Sequence, residues 1–184
     1  MKKKIRVYLR ALEPEDYTLL HKWRNDDEIG RYFSGTRLFT STQNEKKWIE
    51  DKIFDKVNVS CMICIKETEE PIGCVFLNSI DFLNRSGHCP TFIGAKEHWG
   101  KGYATDARVL ILKHAFLDKG LERIWAHVHE DNPGSLRMLE KCNFKQEGIL
   151  RRASYVDGVY KNFVVLSILR DEFEEVLAQY ELGD

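Results

Sequence analysis

The segment Trp99-Gly100-Lys101-Gly102-Tyr103-Ala104-Thr105 connects a predicted strand over 90–95 directly to a predicted helix over 104–117. Gly100 and Gly102 have no Cβ, so the backbone between them can direct several N–H groups at one point. The helix that follows adds unpaired N–H groups and the positive end of its dipole, and Lys101 adds a positive charge. The segment therefore predicts a phosphate-binding loop at a helix N-terminus.

The spacing of the two glycines separates this loop from two common nucleotide-binding motifs. The loop contains neither G-x-x-x-x-G-K-[S/T] nor G-x-G-x-x-G. A P-loop NTPase and a dinucleotide-binding Rossmann unit are therefore disfavoured.

Two other patterns suggest a metal site, but strands explain them better. Cys61 and Cys64 lie in a predicted buried strand, where residues three apart point to opposite faces and cannot bind one ion. His127 and His129 share one face of another predicted strand, but the sequence supplies no third ligand. We therefore predict no metal, with ligation by the histidine pair as the alternative.

The composition is that of a globular protein with no highly charged partner. The chain of 184 residues has a formal net charge of −1, with 43% hydrophobic and 31% charged residues, which suits one domain over residues 1–184. This charge provides no field that would recruit nucleic acid or an anionic membrane. The sequence also lacks an apolar stretch of membrane-spanning length and a signal-peptide core. We expect a cytoplasmic protein whose five cysteines are reduced.

The order of predicted elements favours one mixed sheet with helices on both faces. Residues 42–45 have the spacing of a capping box that begins a helix. Gly120 and Asn143 predict left-handed residues that end helices, and residues 157–158 predict the turn of a hairpin. In chain order, the predicted strands cover 5–10, 59–66, 71–80, 88–95, 123–129 and the two arms of the hairpin, and the predicted helices cover 14–25, 42–55, 104–117, 133–141 and 171 onward.

The glycine-rich loop resembles the R/Q-x-x-G-x-G/A signature of the GNAT acetyltransferases, read here as Trp99-x-x-Gly102-x-Ala104. The resemblance extends over nearly the whole chain. It points to the branch that contains ribosomal-protein N-terminal acetyltransferases and polyamine or antibiotic acetyltransferases. The other matching segments are 10–16, 23–26, 80–85, 92–94, 132–135, 139–144 and 147–148.

This resemblance implies an α/β (α+β) architecture, the GNAT fold. It consists of one mixed, mostly antiparallel sheet of seven strands with helices on both faces. Two central parallel strands, here 88–95 and 123–129, splay apart and hold acetyl-CoA between them. The residues implied to bind acetyl-CoA are Phe92, Ile93, Gly94 and Ala95 at the pantetheine and thioester, Trp99, Gly100, Lys101, Gly102, Tyr103, Ala104 and Thr105 at the pyrophosphate, and Asn132 and Ser135 beside the sulfur.

The implied activity is direct transfer of the acetyl group from acetyl-CoA to a primary amine within a ternary complex. It requires neither a metal nor a covalent intermediate. Protein N-termini, polyamines and antibiotics such as aminoglycosides all remain open as acceptors, and homodimerisation is left open as well. A catalytically inactive CoA-binding sensor is the alternative from another functional class.

Several positions depart from the family pattern. Leu139 replaces the tyrosine that protonates the leaving thiolate, and Ser135 is the implied replacement, with a role at the helix N-terminus as its alternative. His88 stands where glutamate is frequent. It can accept the amine proton if its pKa is near neutrality, and an ordinary strand-edge histidine is the alternative. Asn162 replaces a frequent aspartate, and Pro90 predicts a bulge because it cannot donate to a strand ladder.

The walls of the acceptor pocket are implied to come from the first helices and the terminal hairpin. Aromatic residues there are candidates for contact with the amine, although core packing is their alternative role. The candidates are Trp23, Tyr32, Phe33, Tyr155 and Tyr160.

Overall fold

The computed structural model describes residues 2–30 and 39–181 of the chain. Its strands are β1 (Lys3–Lys4), β2 (Val7–Ala11), β3 (Val59–Ile65), β4 (Pro71–Asp81), β5 (Ser86–His88), β6 (Thr91–Ile93), β7 (Arg123–His129), β8 (Lys145–Val156), β9 (Val159–Leu169) and β10 (Tyr180–Glu181). Its α-helices are α1 (Tyr17–Arg24), α2 (Asp27–Gly30), α3 (Thr42–Ile53), α4 (Tyr103–Lys113), α5 (Pro133–Lys141) and α6 (Arg170–Leu177). None of these helices is long and apolar enough to span a membrane.

The main sheet has the mixed, mostly antiparallel topology that the sequence predicts. Its strand order is β2-β3-β4-β5-β7-β9-β8, with β6 paired to β4 beside β5. Among its described strands, β5 and β7 are the one pair that runs parallel. The sequence did not predict the small parallel pair of β1 and β10, which joins Lys3 to Tyr180 and Lys4 to Glu181.

The predicted strand over 88–95 is broken at Cys89-Pro90 into β5 and β6, which we call the strand break. The Cys89 N–H donates to the Trp125 carbonyl of β7 at 3.0 Å, whereas the Pro90 carbonyl accepts from the Phe76 N–H of β4 at 3.0 Å. β5 already pairs with β4, in the register that β6 continues, so the chain keeps β4 as its neighbour across the break and loses β7. The Pro90 carbonyl faces β4, and because Pro90 has no N–H it returns no bond to that strand, which interrupts the ladder there. One predicted strand thus becomes two, which gives the main sheet eight strands.

Two apolar layers lie on opposite faces of the sheet, as β4 shows. Val75 and Leu77 pack with α4 and α6 in one cluster, and the alternating Cys74 and Phe76 pack under α1 and α3 in the other. Because successive strand residues point to opposite faces, one strand contributes to both cores. Helices on both faces are therefore confirmed.

The left-handed residues predicted at helix ends and turns are confirmed, and two helix boundaries differ slightly from the prediction. Gly120 and Asn143 have φ of +65° and +62°, and the 157–158 turn has φ of +51° and +82°, as predicted. The helix predicted over 104–117 ends in a π-helical turn, His114–Asp118. The cap of α3 is Ser41, whose hydroxyl accepts from the Asn44 N–H, and not the box predicted from 42–45.

Gly94 makes the closest approach between the sheet and the helical layer. A Cβ built on Gly94 would lie 2.1 Å from a ring carbon of Trp23. Trp23 is 4% exposed, and its ring packs edge-on against Phe92 with 6.0 Å between centroids. Only a glycine therefore allows α1 to pack this tightly behind β6.

We expect Gly94→Ala to lower the free energy of unfolding by about 3 kcal/mol, because the added methyl group must displace a buried indole. Urea unfolding measures the change. Gly148→Ala is the matched control, because a Cβ there meets nothing within 4 Å, and we expect it to alter stability by less than about 0.5 kcal/mol. Equal effects of the two substitutions would contradict this explanation.

Candidate functional site

A gap opens in the sheet directly beyond the strand break. β5 and β7 pair in register up to His88 and Trp125, and the bond from the Cys89 N–H to Trp125 is the last that they share in this register. β6 then pairs with β4, with Phe92 opposite Cys74, so that β6 and β7 diverge. This is the position at which the sequence predicts two splayed strands.

The backbone N–H groups of β6 and of the two residues after it point in two different directions. Gly94 and Ala95 both donate to the Ile72 carbonyl of β4, at 2.8 and 3.1 Å, so their N–H groups are not directed into the gap. Backbone groups alternate between the two edges of a strand. The N–H and C=O groups of Ile93 are therefore directed away from β4, at the gap. Of the residues predicted at the thioester, Ile93 has its backbone N–H in position to face a ligand.

The glycine-rich loop has the left-handed backbone that its glycines allow. Gly100 and Gly102 have φ of +72° and +86°, and Gly102 is the N-cap of α4. The N–H groups of Thr105 and Asp106 both donate to the Gly102 carbonyl at 3.1 Å. The N–H groups of Tyr103 and Ala104 precede these bonds at the positive end of the helix, where anions bind favourably.

Arg6, near the start of the chain, holds the glycine-rich loop in place, a contact that the sequence does not predict. Its Nε lies 2.8 Å from the buried Asp106 carboxylate, and its Nη1 donates to the Lys101 carbonyl at 2.9 Å. The guanidinium also lies over the Tyr103 ring, 4.8 Å from the centroid. A carboxylate in the first turn of a buried helix indicates that a cation lies nearby. The sequence does not identify that cation, because it is distant along the chain.

Trp99 occupies the first position of the loop signature, where arginine or glutamine is usual in the resembled family. Its indole N–H donates to the Ile93 carbonyl at 2.7 Å. The side chain therefore connects the loop to the gap-facing edge of β6.

His88 lies in a row of stacked rings on one face of β5 and β7. Its centroid is 4.2 Å from Trp125 and 4.8 Å from His127, with nearly parallel planes. His129 stacks instead on Phe163 and lies 3.1 Å from the Ser154 hydroxyl. Stacked imidazoles do not converge on one ion. Among the described residues, the side chains that come within 4.8 Å of one another as possible metal ligands are Glu70, Glu97 and His98, and two of them are exposed surface carboxylates.

Burial changes the expected chemistry of His88. Burial, together with the nearby His127 and Arg108, lowers the pKa of His88 to about 4. Burial likewise lowers the pKa values of His127 and His129. The prediction that His88 titrates near neutrality is therefore wrong, and the imidazole row is neutral at pH 7.

The start of α5 lies next along the chain after β7. The Asn132 side chain accepts from the Ser135 N–H at 3.1 Å and caps the helix, so the cap does not depend on the Ser135 hydroxyl. Ser135 is half-buried, while Leu139 is fully buried in the core. Asn162 accepts from the Arg152 N–H at 2.8 Å and donates to Glu130 at 3.1 Å.

The predicted pocket aromatics do not form one group. Trp23 is buried against Gly94 and Phe92, which is the core position that the sequence analysis gives as its alternative role. Tyr155 and Tyr160 pair across the hairpin with centroids 4.9 Å apart and are 60% and 63% exposed. Tyr32 and Phe33 lie outside the described residues.

Comparison with known proteins identifies relatives over most of the chain. A family model described as an acetyltransferase (GNAT) domain matches residues 6–145. N-acetyltransferase p20 of Bacillus licheniformis is 30% identical, covering 91% of this chain and 95% of that protein. Ribosomal N-acetyltransferase YdaF of Bacillus subtilis is 32% identical over 55% of each chain.

Spermidine acetyltransferases are similar in both sequence and structure. Spermidine N(1)-acetyltransferase of Vibrio cholerae is 28% identical over 90% of this chain and 94% of that protein. The crystal structure of spermidine N-acetyltransferase from the same organism, in complex with CoA and spermine, has a TM-score of 0.85 at 27% identity. It covers 92% of this chain and 98% of that one.

The low pKa of His88 predicts a specific dependence of stability on pH. The imidazole titrates near 6.5 in the unfolded chain and near 4 in the folded protein. Above pH 6.5 both states are neutral. As pH falls from 6.5 to 4 the unfolded state takes up the proton first, and stability is lost. We expect His88→Gln to weaken this loss in urea unfolding at pH 7.5 to 4.5.

The control for this prediction is His114→Gln, which removes an imidazole that pairs with Asp118 in the π-helical turn after α4. An NMR titration that places His88 near pH 6.5 would contradict the prediction, as would unchanged pH profiles in His88→Gln.

Proposed function

The chain belongs to the GNAT family of acetyltransferases, and we propose that it acetylates a small polyamine-type amine. Like its relatives, it is an N-acetyltransferase that uses acetyl-CoA as co-substrate. The amine nitrogen attacks the thioester carbon, and the C–S bond then breaks with its electron pair on sulfur. One N–H proton must leave the nitrogen, and the thiolate must be protonated or otherwise stabilised.

The gap beyond the strand break is the observation that carries the proposal. Negative charge develops on the thioester oxygen as the amine adds, and a fixed N–H donor directed at that oxygen lowers the barrier. The Ile93 N–H is the candidate donor, because Gly94 and Ala95 donate to Ile72. The pantetheine would lie along β6, and the pyrophosphate would bind the N–H groups at the start of α4.

The row of rings supports a cationic small-molecule acceptor. His88 and His127 are neutral at pH 7 because their pKa values are lowered, so they do not repel a polyamine. Trp125 stacks beside them and can offer its face to an ammonium group. The relatives that span nearly the whole chain include spermidine acetyltransferases, whereas the ribosomal relative aligns over 55% of it.

The amine must lose its proton before it can attack. A primary amine with a pKa near 10.4 is neutral to less than about 0.1% at pH 7. His88 with a pKa of about 4 is too weak a base to change that fraction directly, so we assign proton removal to water that His88 can orient. Ser135 is the proposed proton donor to the thiolate, since its hydroxyl is not used in capping α5.

A protein N-terminus is the second candidate acceptor, because the ribosomal relative shares 32% identity over its aligned part. An α-amino group with a pKa near 8 is about 10% neutral at pH 7, so it needs less help from a base.

Thiol release from acetyl-CoA across a panel of amines tests the proposal. We expect release that depends on spermidine or spermine, with kcat/KM at least about tenfold above that for peptides with a free N-terminus, a difference of about 1.4 kcal/mol in the barrier. A preference for the peptides would favour the second candidate. Thermal stabilisation by acetyl-CoA without thiol release for any amine would indicate a CoA-binding sensor.

The loop assignment predicts that Gly102→Ala reduces the rise in melting temperature that acetyl-CoA causes by linkage. The new Cβ would lie 3.0 Å from the Arg6 guanidinium and disturb the N–H groups at the start of α4. Gly158→Ala is the matched control, because Gly158 has a similar φ of +82°. Each variant should lose about 1–2 kcal/mol of stability. If acetyl-CoA raised the melting temperature of Gly102→Ala as much as that of the unaltered chain, the loop would not be part of the binding site.

A further inference from the structure

Arg108 is a buried cation that the proposed chemistry has not yet used. It lies on α4 and is 2% exposed, in a turn whose neighbours Ala107 and Val109 are fully buried. Within residues 2–30 and 39–181 it forms no ion pair with a carboxylate, and its Nε has no hydrogen-bond partner. A buried charge without a counter-charge is costly, so its position requires an explanation.

The contacts of Arg108 lie at the strand break. Its Nη1 donates to the Cys89 carbonyl, and its guanidinium lies 5.6 Å from the centroid of the Phe144 ring. In a parallel ladder that continued past Cys89 and Trp125, the Cys89 carbonyl would accept from an N–H group of β7. Arg108 takes that carbonyl instead. The guanidinium therefore occupies the acceptor that would otherwise close the gap.

We propose that Arg108 is a positioning residue of the acetyl-transfer site, which holds the gap open at Cys89 and supplies its positive field. The proposal rests on the proposed function for the identity of the reacting groups. As the amine adds, negative charge appears on the thioester oxygen, and it moves to sulfur when the C–S bond breaks. An uncompensated cation beneath the gap stabilises both charges more than it stabilises the neutral thioester.

This role accounts for a departure in the sequence. Leu139 stands where the resembled family has the tyrosine that protonates the thiolate. A nearby positive charge favours the thiolate over the thiol, so protonation of sulfur becomes less important for its departure. Arg108 also acts on His88, because its charge contributes to the lowered pKa of that imidazole together with burial and His127.

Three variants separate this role from simple core packing. Arg108→Met fills similar space without charge or donors, Arg108→Lys keeps the charge, and Arg137→Met makes the first change at an exposed arginine on α5. Replacing an unpaired buried charge by an apolar side chain is often neutral or stabilising. We expect Arg108→Met to keep or raise the melting temperature while kcat falls about 10- to 100-fold, with a smaller change in KM for acetyl-CoA.

NMR titration of His88 supplies a readout that does not require turnover. Burial and His127 keep the pKa of His88 low in every variant, so in Arg108→Met it should rise only in part from about 4, and in Arg108→Lys it should not rise. Arg137→Met should leave both kcat and this pKa unchanged. Unchanged kcat in Arg108→Met, or a His88 pKa that does not move in it, would overturn the proposal.

The remaining outcomes are also decisive. If Arg108→Met does not fold, Arg108→Lys tests the proposal instead. A His88 pKa that rises although the positive charge is retained would show that this charge does not control the pKa, and it would overturn the proposal. If the unaltered chain released no thiol with any amine, the proposed function would fail. The His88 titration would still establish whether Arg108 controls the electrostatics of the gap.

Discussion

The structure around the site depends on the loss of pairing between the central strand and β7 directly after Cys89. β5 pairs with β4 on one edge and with β7 on the other, whereas β6 continues the pairing with β4 and leaves its other edge free of β7. The divergence exposes the backbone of Ile93, places the glycine-rich loop at the end of β6, and gives the buried Arg108 a carbonyl to bind. The gap is therefore built into the backbone and does not depend on a loop moving aside.

The electrostatics of this region run against the usual arrangement of buried charges. The carboxylate of Asp106 has Arg6 as its partner, whereas Arg108, two residues later on the same helix, bonds the Cys89 carbonyl and has no carboxylate partner among the described residues. Burial lowers the pKa values of the adjacent imidazoles and keeps them neutral at pH 7. In the proposed reaction a cationic amine approaches uncharged rings, and the negative charge that develops on the thioester is stabilised by the guanidinium of Arg108.

Much of the fold was predictable because its signals are local. Proline, the left-handed glycines and Asn143 each act over a few residues, and they located the loop, the hairpin turn and the end of α5 correctly. The site was less predictable because its key contacts join distant positions. Arg6 and Asp106 are 100 residues apart. In the sequence, Arg108 is one charged residue in an apolar helix, and nothing in the pattern indicates that it is buried. The pKa of His88 could not be predicted for the same reason, since it depends on the rings that cover it.

Trp23 and Gly94 also constrain how this sequence can change over evolution. Because a ring carbon of Trp23 lies where the first side-chain atom of residue 94 would be, a larger residue at 94 requires a smaller one at 23. The intermediate with only the first change would be overpacked, so the order of the two substitutions matters. Related sequences that have drifted here should therefore have exchanged both positions together, and an attempt to reshape the gap by altering residue 94 has to begin on the helix behind it.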